Sequence, residues 1–188
     1  KRSYAGEVSY LGGGIKDENH LELGRAVVVE TSTDDELLVM NRSGFYMCSV
    51  CGYSDIIKGR IITPRLLKKH KNCRQYDCPN EDLEQLKLGH RFQTDVARFT
   101  IPLLESTDKT SYSRALSFMY AFLEGVSNVF EIERNDIDGI LELNMEEQSY
   151  DILLYDNVPG GAGHVKRLVD RGAIINSLRA ALNKVSQQ

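Results

Sequence analysis

Runs of apolar, β-branched and aromatic residues are separated by polar and glycine-rich segments along the chain, and they predict most of its strands. A short strand at 44–47 leads into the first pair of cysteines. Segments 25–32 and 36–41 are expected to be two strands joined by a turn at 33–35. Residues 1–22 contain few apolar anchors and are predicted to be irregular. Three further strands are predicted at 89–102, 139–144 and 150–156.

Apolar residues spaced three or four positions apart predict helices, chiefly in the second half of the chain. The longest predicted helix covers 111–130, and a last helix is expected over 164–185. A brief helix is predicted at 61–70, with Pro64 near its start. The residues of the 111–130 helix that we expect to face the core are Leu116, Met119, Phe122, Leu123 and Val126.

The order of these elements predicts an α+β fold, or α/β, in which a mixed β-sheet is flanked by helices. The chain has 188 residues, of which 41% are apolar and 27% charged, so residues 1–188 are expected to form a single domain. The chain begins with Lys1 rather than Met, which we interpret as a fragment of a longer protein. No apolar run approaches the ~20 residues of a membrane helix, and no signal-peptide pattern is present. Any targeting signal would precede this fragment; we expect a cytoplasmic location and no membrane partner.

All four cysteines fall in one short part of the chain, in the pattern C-x2-C, 21 residues, C-x4-C. Two closely spaced pairs of thiols are typical of a structural Zn²⁺ site, and a closed four-thiolate site would stabilise rather than catalyse. The predicted zinc-binding insert spans 44–80, and His70 is a reserve ligand. The predicted ligands are Cys48, Cys51, Cys73 and Cys78.

Other interpretations of the cysteines are less consistent with the spacing. Two disulfides would require an oxidising compartment, which nothing in the sequence indicates. A redox C-x-x-C motif is expected at a strand–helix junction without a second pair downstream. Free core cysteines would not cluster in this way.

A strongly basic stretch lies almost entirely between the two cysteine pairs, although the whole chain has a net charge of −4. Residues 56–76 contain seven basic residues and no acidic one. One interpretation is that these cations offset the thiolates and cover a solvated loop, and the other is that they bind nucleic-acid phosphates. The sequence leaves both open. The candidate nucleic-acid-binding residues are Lys58, Arg60, Arg65, Lys68, Lys69, Lys71 and Arg74.

A glycine-rich loop, VPGGAG at 158–163, follows the strand predicted at 150–156. Backbone N–H groups at such a strand–loop–helix junction are able to bind an anion. The loop lacks the lysine of a phosphate-binding P-loop and does not match G-x-G-x-x-G. We therefore predict that the glycines serve mainly as a sharp turn that an aspartate fastens. The residues of this motif are Asp156, Pro159, Gly160, Gly161, Gly163 and His164.

Two carboxylates and two histidines raise the alternative of a metal-dependent nuclease or other phosphoesterase. That site would use Asp95, Asp156 and His164, with His90 as a further candidate. No serine or free cysteine sits at a strained elbow, and no H-x-E or H-E-x-x-H motif occurs. We therefore assign no catalytic residue.

Several segments taken together resemble a known family: LGHRFQTDVARFTIP, IERNDIDG and YDILLYDNVPGGAGHVKRL. They are similar to the zinc-associated C-terminal domain of MrfA-type superfamily 2 DNA-repair helicases, of component B of the DISARM anti-phage system, and of Druantia helicase-like proteins. The resemblance covers about 25–185. Family members commonly continue into a further cysteine-rich segment, whereas this sequence ends at Gln188.

The resemblance implies a zinc-binding accessory domain that supports a DNA motor in repair or anti-phage defence. Its partners would be DNA and a helicase motor domain or subunit. No Walker motif occurs in the sequence, so any ATPase activity would reside elsewhere. The other classes that remain open are the metal-dependent nuclease and a protein-interaction scaffold without DNA contact.

Overall fold

A computed structural model of the protein describes residues 6–24, 27–42, 44–57, 64–102, 104–106, 108 and 110–186. The chain divides into two compact units. The small-sheet unit comprises 1–8 and 38–91, and the helical unit comprises 9–37 and 92–188.

Ten strands, two α-helices and one 3-10 helix occur within the described residues. The strands are β1 (Gly6–Gly12), β2 (Ile15–Leu23), β3 (Val27–Asn41), β4 (Phe45–Met47), β5 (Ser54–Ile56), β6 (Arg65–Leu67), β7 (Asp82–Leu86), β8 (Gly89–Thr100), β9 (Ile137–Asn144) and β10 (Ser149–Asp156). The helices are α1 (Ser111–Phe130), a 3-10 turn at Val165–Val169, and α2 (Arg171–Ser186).

A six-stranded sheet in the order β1-β3-β8-β10-β9, with β2 paired to β3, forms the backbone of the larger core. Strand β10 is antiparallel to both β8 and β9, with Ile152 opposite Phe99 and Leu154 opposite Ala97. These apolar residues share one face because side chains alternate along a strand. That face is buried, with Ile152 and Leu154 both fully inaccessible to solvent. The combination of antiparallel pairs and helices confirms the predicted α+β class.

Helix α1 covers the predicted range and buries the predicted stripe against the sheet, including Met119, Leu123 and Val126. Helix α2 then packs on α1. The two backbones approach closely at Gly125, where an added Cβ would overlap the Ser177 carbonyl oxygen. A glycine at this crossing therefore sets the distance between the helices.

Two predictions for the N-terminal third were wrong. Residues 6–12 and 15–23 form β1 and β2 rather than irregular chain. The segments predicted as two strands form the single strand β3, because β2 pairs across the expected turn, with Ile15 opposite Thr33. Asp34 adopts a left-handed φ of 59°, so the residue distorts the strand locally without reversing it.

The predicted helices at 61–70 and 164–185 were also wrong in part. Arg65–Leu67 is strand β6, because Leu66 pairs with the fully buried Leu83 of β7; residues 58–63 lie outside the described part. The last helix is interrupted at Asp170, whose backbone is extended. Its carboxylate accepts a hydrogen bond from the Ala173 N–H at 2.7 Å and so begins α2 as a separate helix.

The small-sheet unit contains a four-stranded sheet in the order β5-β4-β7-β6. Its own small core includes Tyr46, Ile57 and Leu83 together with two of the cysteines. Among the described residues, neither α1 nor α2 qualifies as a membrane-spanning helix.

Candidate metal centre and glycine-rich loop

Three cysteines and one histidine converge in the small-sheet unit. Cys48 follows β4, Cys51 lies in the next turn, His70 follows β6, and Cys78 precedes β7. Their potential ligand atoms all lie within 4.8 Å of one another. Cys48 Sγ is 3.9 Å from Cys78 Sγ, and Cys51 Sγ is 3.2 Å from His70 Nε2.

The turn that carries the first cysteine pair is held by its own backbone. The Cys48 N–H donates to the Tyr53 carbonyl at 2.8 Å, and the Gly52 N–H donates to the Cys48 carbonyl at 2.9 Å. Gly52 has a φ of 72°, which a residue without Cβ adopts easily. Burial acts to raise the pKa of the Cys48 thiol, but hydrogen bonds from the N–H groups of Cys51 and Val50 lower the pKa to about 6. The turn therefore favours the thiolate, which is the form that binds metals.

The orientation of His70 is fixed by a backbone carbonyl. Its Nδ1 lies 2.9 Å from the Lys68 carbonyl oxygen. Because a carbonyl only accepts hydrogen bonds, Nδ1 carries the proton and Nε2 presents its lone pair to the cysteines. Tyr53 stacks on the imidazole ring with the ring centroids 4.7 Å apart. The tautomer with the proton on Nδ1 leaves Nε2 able to bind a metal ion.

The structure places His70 where Cys73 was predicted to act as a ligand. Residues 70–78 form a hairpin. The Cys78 N–H donates to the His70 carbonyl, and the Asn72 N–H donates to the Tyr76 carbonyl. Between these two bonds, the backbones of Lys71 and Asp77 lie opposite each other in a β-bridge. Cys73 lies in the turn at the end of this hairpin, which the Gln75 N–H closes by donating to the Asn72 carbonyl. Cys73 is exposed and does not belong to the cluster of four.

The four donor atoms fit a tetrahedral zinc ion. At Zn–S distances of about 2.3 Å, the sulfurs of a tetrahedron are separated by roughly 3.8 Å, close to the observed Cys48–Cys78 separation. Asn80 Nδ2 lies 3.4 Å from Cys48 Sγ and donates a hydrogen bond to that thiolate. Three thiolates and one imidazole fill all four positions, so the chemistry of this set is structural rather than catalytic.

The predicted basic residues differ in their surroundings. Lys58 and Arg60 lie outside the described residues. Three others are paired with acidic side chains that flank the basic stretch or lie at its edge: Arg65 with Asp82, Lys68 with Asp55, and Lys69 with Glu81. Lys71 and Arg74 are exposed in the hairpin. Part of the predicted positive charge is therefore balanced within the unit.

The glycine-rich loop of the helical unit is organised around the buried carboxylate of Asp156. Its Oδ2 accepts hydrogen bonds from the N–H groups of Ala162 and His164 at 2.7 and 3.0 Å, and its Oδ1 accepts one from Val165 at 3.1 Å. The Asp156 carbonyl accepts a hydrogen bond from the Thr94 hydroxyl at 2.7 Å. The N–H groups that would cradle an external anion are thus bonded to a side chain of the protein.

The three loop glycines all have left-handed backbones, with φ of 88° at Gly160, 72° at Gly161 and 76° at Gly163. Gly161 also lies against β8, where an added Cβ would clash with the Asp95 carboxylate and lie 3.0 Å from the Asp95 N. Pro159 is exposed at the start of the turn. The loop therefore needs glycine for its conformation and, at Gly161, for a close approach.

The residues considered for a nuclease site have structural partners instead. The Asp95 carboxylate accepts a hydrogen bond from the Gly163 N–H at 3.2 Å and lies 3.6 Å from the Lys166 ammonium. Burial raises the pKa of Asp95, while the nearby Lys166 opposes that rise. His164 contributes its backbone N–H to Asp156, and His90 is an exposed residue of the small-sheet unit. Among the described residues, none of these groups belongs to a metal-ligand cluster. Nothing in the site favours the nuclease alternative.

Cysteine spacing is the stronger sequence signal, and it favours Cys73 over His70 as a ligand. The signals that favour His70 are local. Asn72 and Gln75 are turn-forming residues, and the hairpin that they close moves Cys73 to its tip. The supporting roles of Tyr53 and Asn80 had no sequence signal.

The fold and the metal group together define a zinc-binding α+β module. Residues 118–187 match the family model described as the MrfA Zn-binding domain, which confirms the resemblance seen in the sequence over that part of the chain. The matched region contains no cysteine, so the cluster around His70 lies outside it. No curated protein sequence is similar enough to count as a relative of this chain.

Two solved structures are similar to the chain. The crystal structure of the DUF1998 helicase MrfA bound to DNA has a TM-score of 0.56 and 15% identity over 92% of this chain and 20% of that one. The same helicase bound to DNA and AMPPNP has a TM-score of 0.39 and 13% identity over 93% of this chain and 19% of that one. The first likeness shows a shared fold, and this chain spans about a fifth of the helicase.

Proposed function

We propose that the chain is a zinc-stabilised accessory domain of a helicase-like protein that acts on DNA. The observation that carries the proposal is the fold likeness over 92% of the chain to part of a DNA-bound helicase, together with the family match at 118–187. The predicted zinc cofactor is supported by the family and by the Cys3His cluster.

Zinc in this proposal is held by Cys48, Cys51, His70 and Cys78. The ion ties the turn after β4 to the hairpin before β7, two segments that have only a small apolar core between them. Metal binding to such a unit is coupled to its folding. The domain would thus present a rigid surface to DNA or to the motor without performing chemistry.

The ATP-driven motor, in this proposal, lies in other parts of a longer chain or in a partner subunit. The chain covers only 20% of the similar helicase, and its sequence contains no Walker motif. The process served is DNA repair or anti-phage defence of the DISARM or Druantia kind, as the sequence resemblance suggests. A reducing, cytoplasmic location suits a site made of free thiolates.

The proposal is tested in the full-length parent protein with Cys78→Ala, and with Cys73→Ala as a matched control. Cys78→Ala is expected to remove zinc and to weaken DNA binding and DNA-stimulated ATP hydrolysis, while basal ATP hydrolysis by the motor persists. Cys73→Ala is expected to retain zinc and all three activities. Full DNA binding and unwinding by the zinc-free Cys78→Ala protein would contradict an accessory role for this domain.

A further inference from the structure

The hairpin between the last two metal ligands presents an unusual set of side chains at its end. The hairpin tip, residues 71–76, is anchored by His70 on one strand and Cys78 on the other. Asn72 Oδ1 closes the turn by accepting hydrogen bonds from the N–H groups of Arg74 and Tyr76 at 2.9 and 3.1 Å. The backbone of the tip is therefore fixed on both sides.

Three side chains of the tip are exposed and form no hydrogen bond or ion pair within the described part of the chain, although Lys71 lies opposite Asp77. Tyr76 is 69% exposed, which is high for an aromatic residue on a constrained turn. Lys71 and Arg74 are exposed beside it. The neighbouring Arg65, Lys68 and Lys69 differ, because each of these is paired with a carboxylate.

The structure thus divides the basic stretch into a paired group and an unpaired group that includes an aromatic ring. The sequence alone places Tyr76 just beyond the basic run, whereas the hairpin brings it opposite Asn72, in the same closed turn as Arg74. Cations that flank an exposed aromatic ring are the combination that proteins use to bind single-stranded nucleic acid. The ring stacks on a base, and the cations meet the adjoining phosphates.

We propose that the hairpin tip binds single-stranded nucleic acid, with Tyr76 stacked on an unpaired base and Lys71 and Arg74 at the flanking phosphates. This inference rests on the proposed DNA-acting function and names the contact within it. An ion bound by His70 and Cys78 would fix the base of the hairpin, so residues 71–76 would lose little conformational freedom when they bind nucleic acid.

The exposed ring of Tyr76, and not the charge of the tip, favours nucleic acid over an acidic protein segment. Residues 69–76 contain no carboxylate. Asp77 faces Lys71 across the hairpin and partly offsets it. An acidic peptide would use the two cations and leave the ring of Tyr76 without a role. Replacing Tyr76 therefore distinguishes the two partners, because only the affinity for nucleic acid should fall.

The test is fluorescence anisotropy of the zinc-loaded chain with labelled oligo-dT, oligo-U and a duplex of the same length, at low salt. The single strands are expected to bind more tightly than the duplex. Tyr76→Ala should weaken single-strand binding about tenfold, and Tyr76→Phe should retain it, since the ring does the stacking. Removing both Lys71 and Arg74 should reduce the salt dependence by roughly two counterions.

Matched controls come from the same chain. Tyr112→Ala removes a half-exposed tyrosine of α1, and Lys69→Ala removes a neighbouring lysine that is paired with Glu81. Both are expected to change affinity less than twofold. Asp77→Asn should tighten binding because it removes the carboxylate that faces Lys71. Zinc content is measured for each variant, so that loss of the fold is recognised.

The outcomes separate this inference from the proposed function. If the wild type binds nucleic acid and Tyr76→Ala binds equally well, the tip is not the stacking contact, and the accessory role stands. If affinity falls when Lys71 and Arg74 are removed but not in Tyr76→Ala, the tip contacts phosphates or an acidic peptide, and the stacking proposal is overturned. If the zinc-loaded wild type binds none of the three probes, both the inference and direct DNA contact by this domain fail.

Discussion

The metal centre and the glycine-rich loop have similar sequence signals but opposite structural solutions. Each places glycines and polar groups at a turn that joins secondary-structure elements. In the loop, the backbone N–H groups point at Asp156, so the anion that they need is part of the chain. In the metal centre, three thiols and an imidazole converge on a common point, so an ion from outside is required to satisfy them. A ligand site is therefore recognised by metal-binding atoms that converge on one point, and not by a turn rich in glycine and polar groups.

The largest expected effect is on zinc binding, and it distinguishes the buried Cys78 from the exposed Cys73 of the second cysteine pair. Cys78→Ala should abolish stoichiometric zinc binding and unfold the small-sheet unit, because metal binding and folding are coupled. Cys73→Ala should retain one zinc per chain and near-normal melting. Metal analysis and thermal melting of both variants check this. Zinc loss in both Cys73→Ala and Cys78→Ala, with retention in His70→Ala, would restore the ligand set predicted from spacing.

The internal anion of the loop is tested by Asp156→Ala. Three N–H groups lose a charged acceptor in a buried position, and we expect the free energy of unfolding to fall by about 3 kcal/mol or more. Urea unfolding measures the loss, and zinc content should remain unchanged. Asn157→Ala, at the exposed next position, serves as the control and should cost less than about 1 kcal/mol. Equal stability of the Asp156 variant and wild type would refute the fastening role.

The loop glycines offer a finer comparison between conformation and space. Gly161→Ala should cost about 2 kcal/mol or more, because it combines a left-handed backbone with a clash against Asp95. Gly163→Ala also has a left-handed backbone but meets nothing within 4 Å, and it should cost about 1 kcal/mol. Melting temperatures should fall in the order wild type, Gly163→Ala, Gly161→Ala, both with and without inorganic phosphate. Phosphate should not raise the melting temperature of any of the three proteins. Strong protection of the wild type alone would identify the loop as an anion site.

The smallest effect concerns Asp108, an exposed counterpart of Asp156 at the start of α1. Its carboxylate accepts hydrogen bonds from the Thr110 hydroxyl and N–H, both at 2.6 Å, and these hold its pKa at about 2. Since this pKa is depressed on folding, its stabilisation is fully present above an unfolded pKa of about 4 and is lost as the pH falls through about 2. Asp108→Asn should therefore melt slightly below wild type at pH 6, and the difference should shrink near pH 2. A difference in melting temperature that is independent of pH would show that the ionised Asp108 carboxylate is not its cause.

The parts of the fold that sequence predicted well have one strong local pattern. Helix α1 and strand β10 have uninterrupted apolar periodicity, and both were found where expected. Strands β1 and β2 were missed because their residues are mostly polar or half-exposed, and pairing with β3 rather than their own composition makes them strands. Similarly, β6 is a strand because of Leu83 opposite Leu66, a long-range contact that no local window contains.

The candidate site was predictable in its chemistry and less so in its membership. Cysteine spacing indicated the metal and three of the residues that converge. The fourth depended on the register of a hairpin, which places His70 beside Cys78 and Cys73 at the tip. Register follows from backbone hydrogen bonds that Asn72 organises, and residue spacing alone does not encode it.

The outward position of Cys73 has a practical consequence for chemical labelling. The chain has four cysteines, and Cys73 is exposed and outside the metal cluster. With the ion bound, a maleimide should react with one thiol per chain, and after chelation and unfolding with four. Alkylation stoichiometry read by mass spectrometry therefore counts metal occupancy directly. The same native thiol allows a dye to be attached at the hairpin without adding or removing any residue.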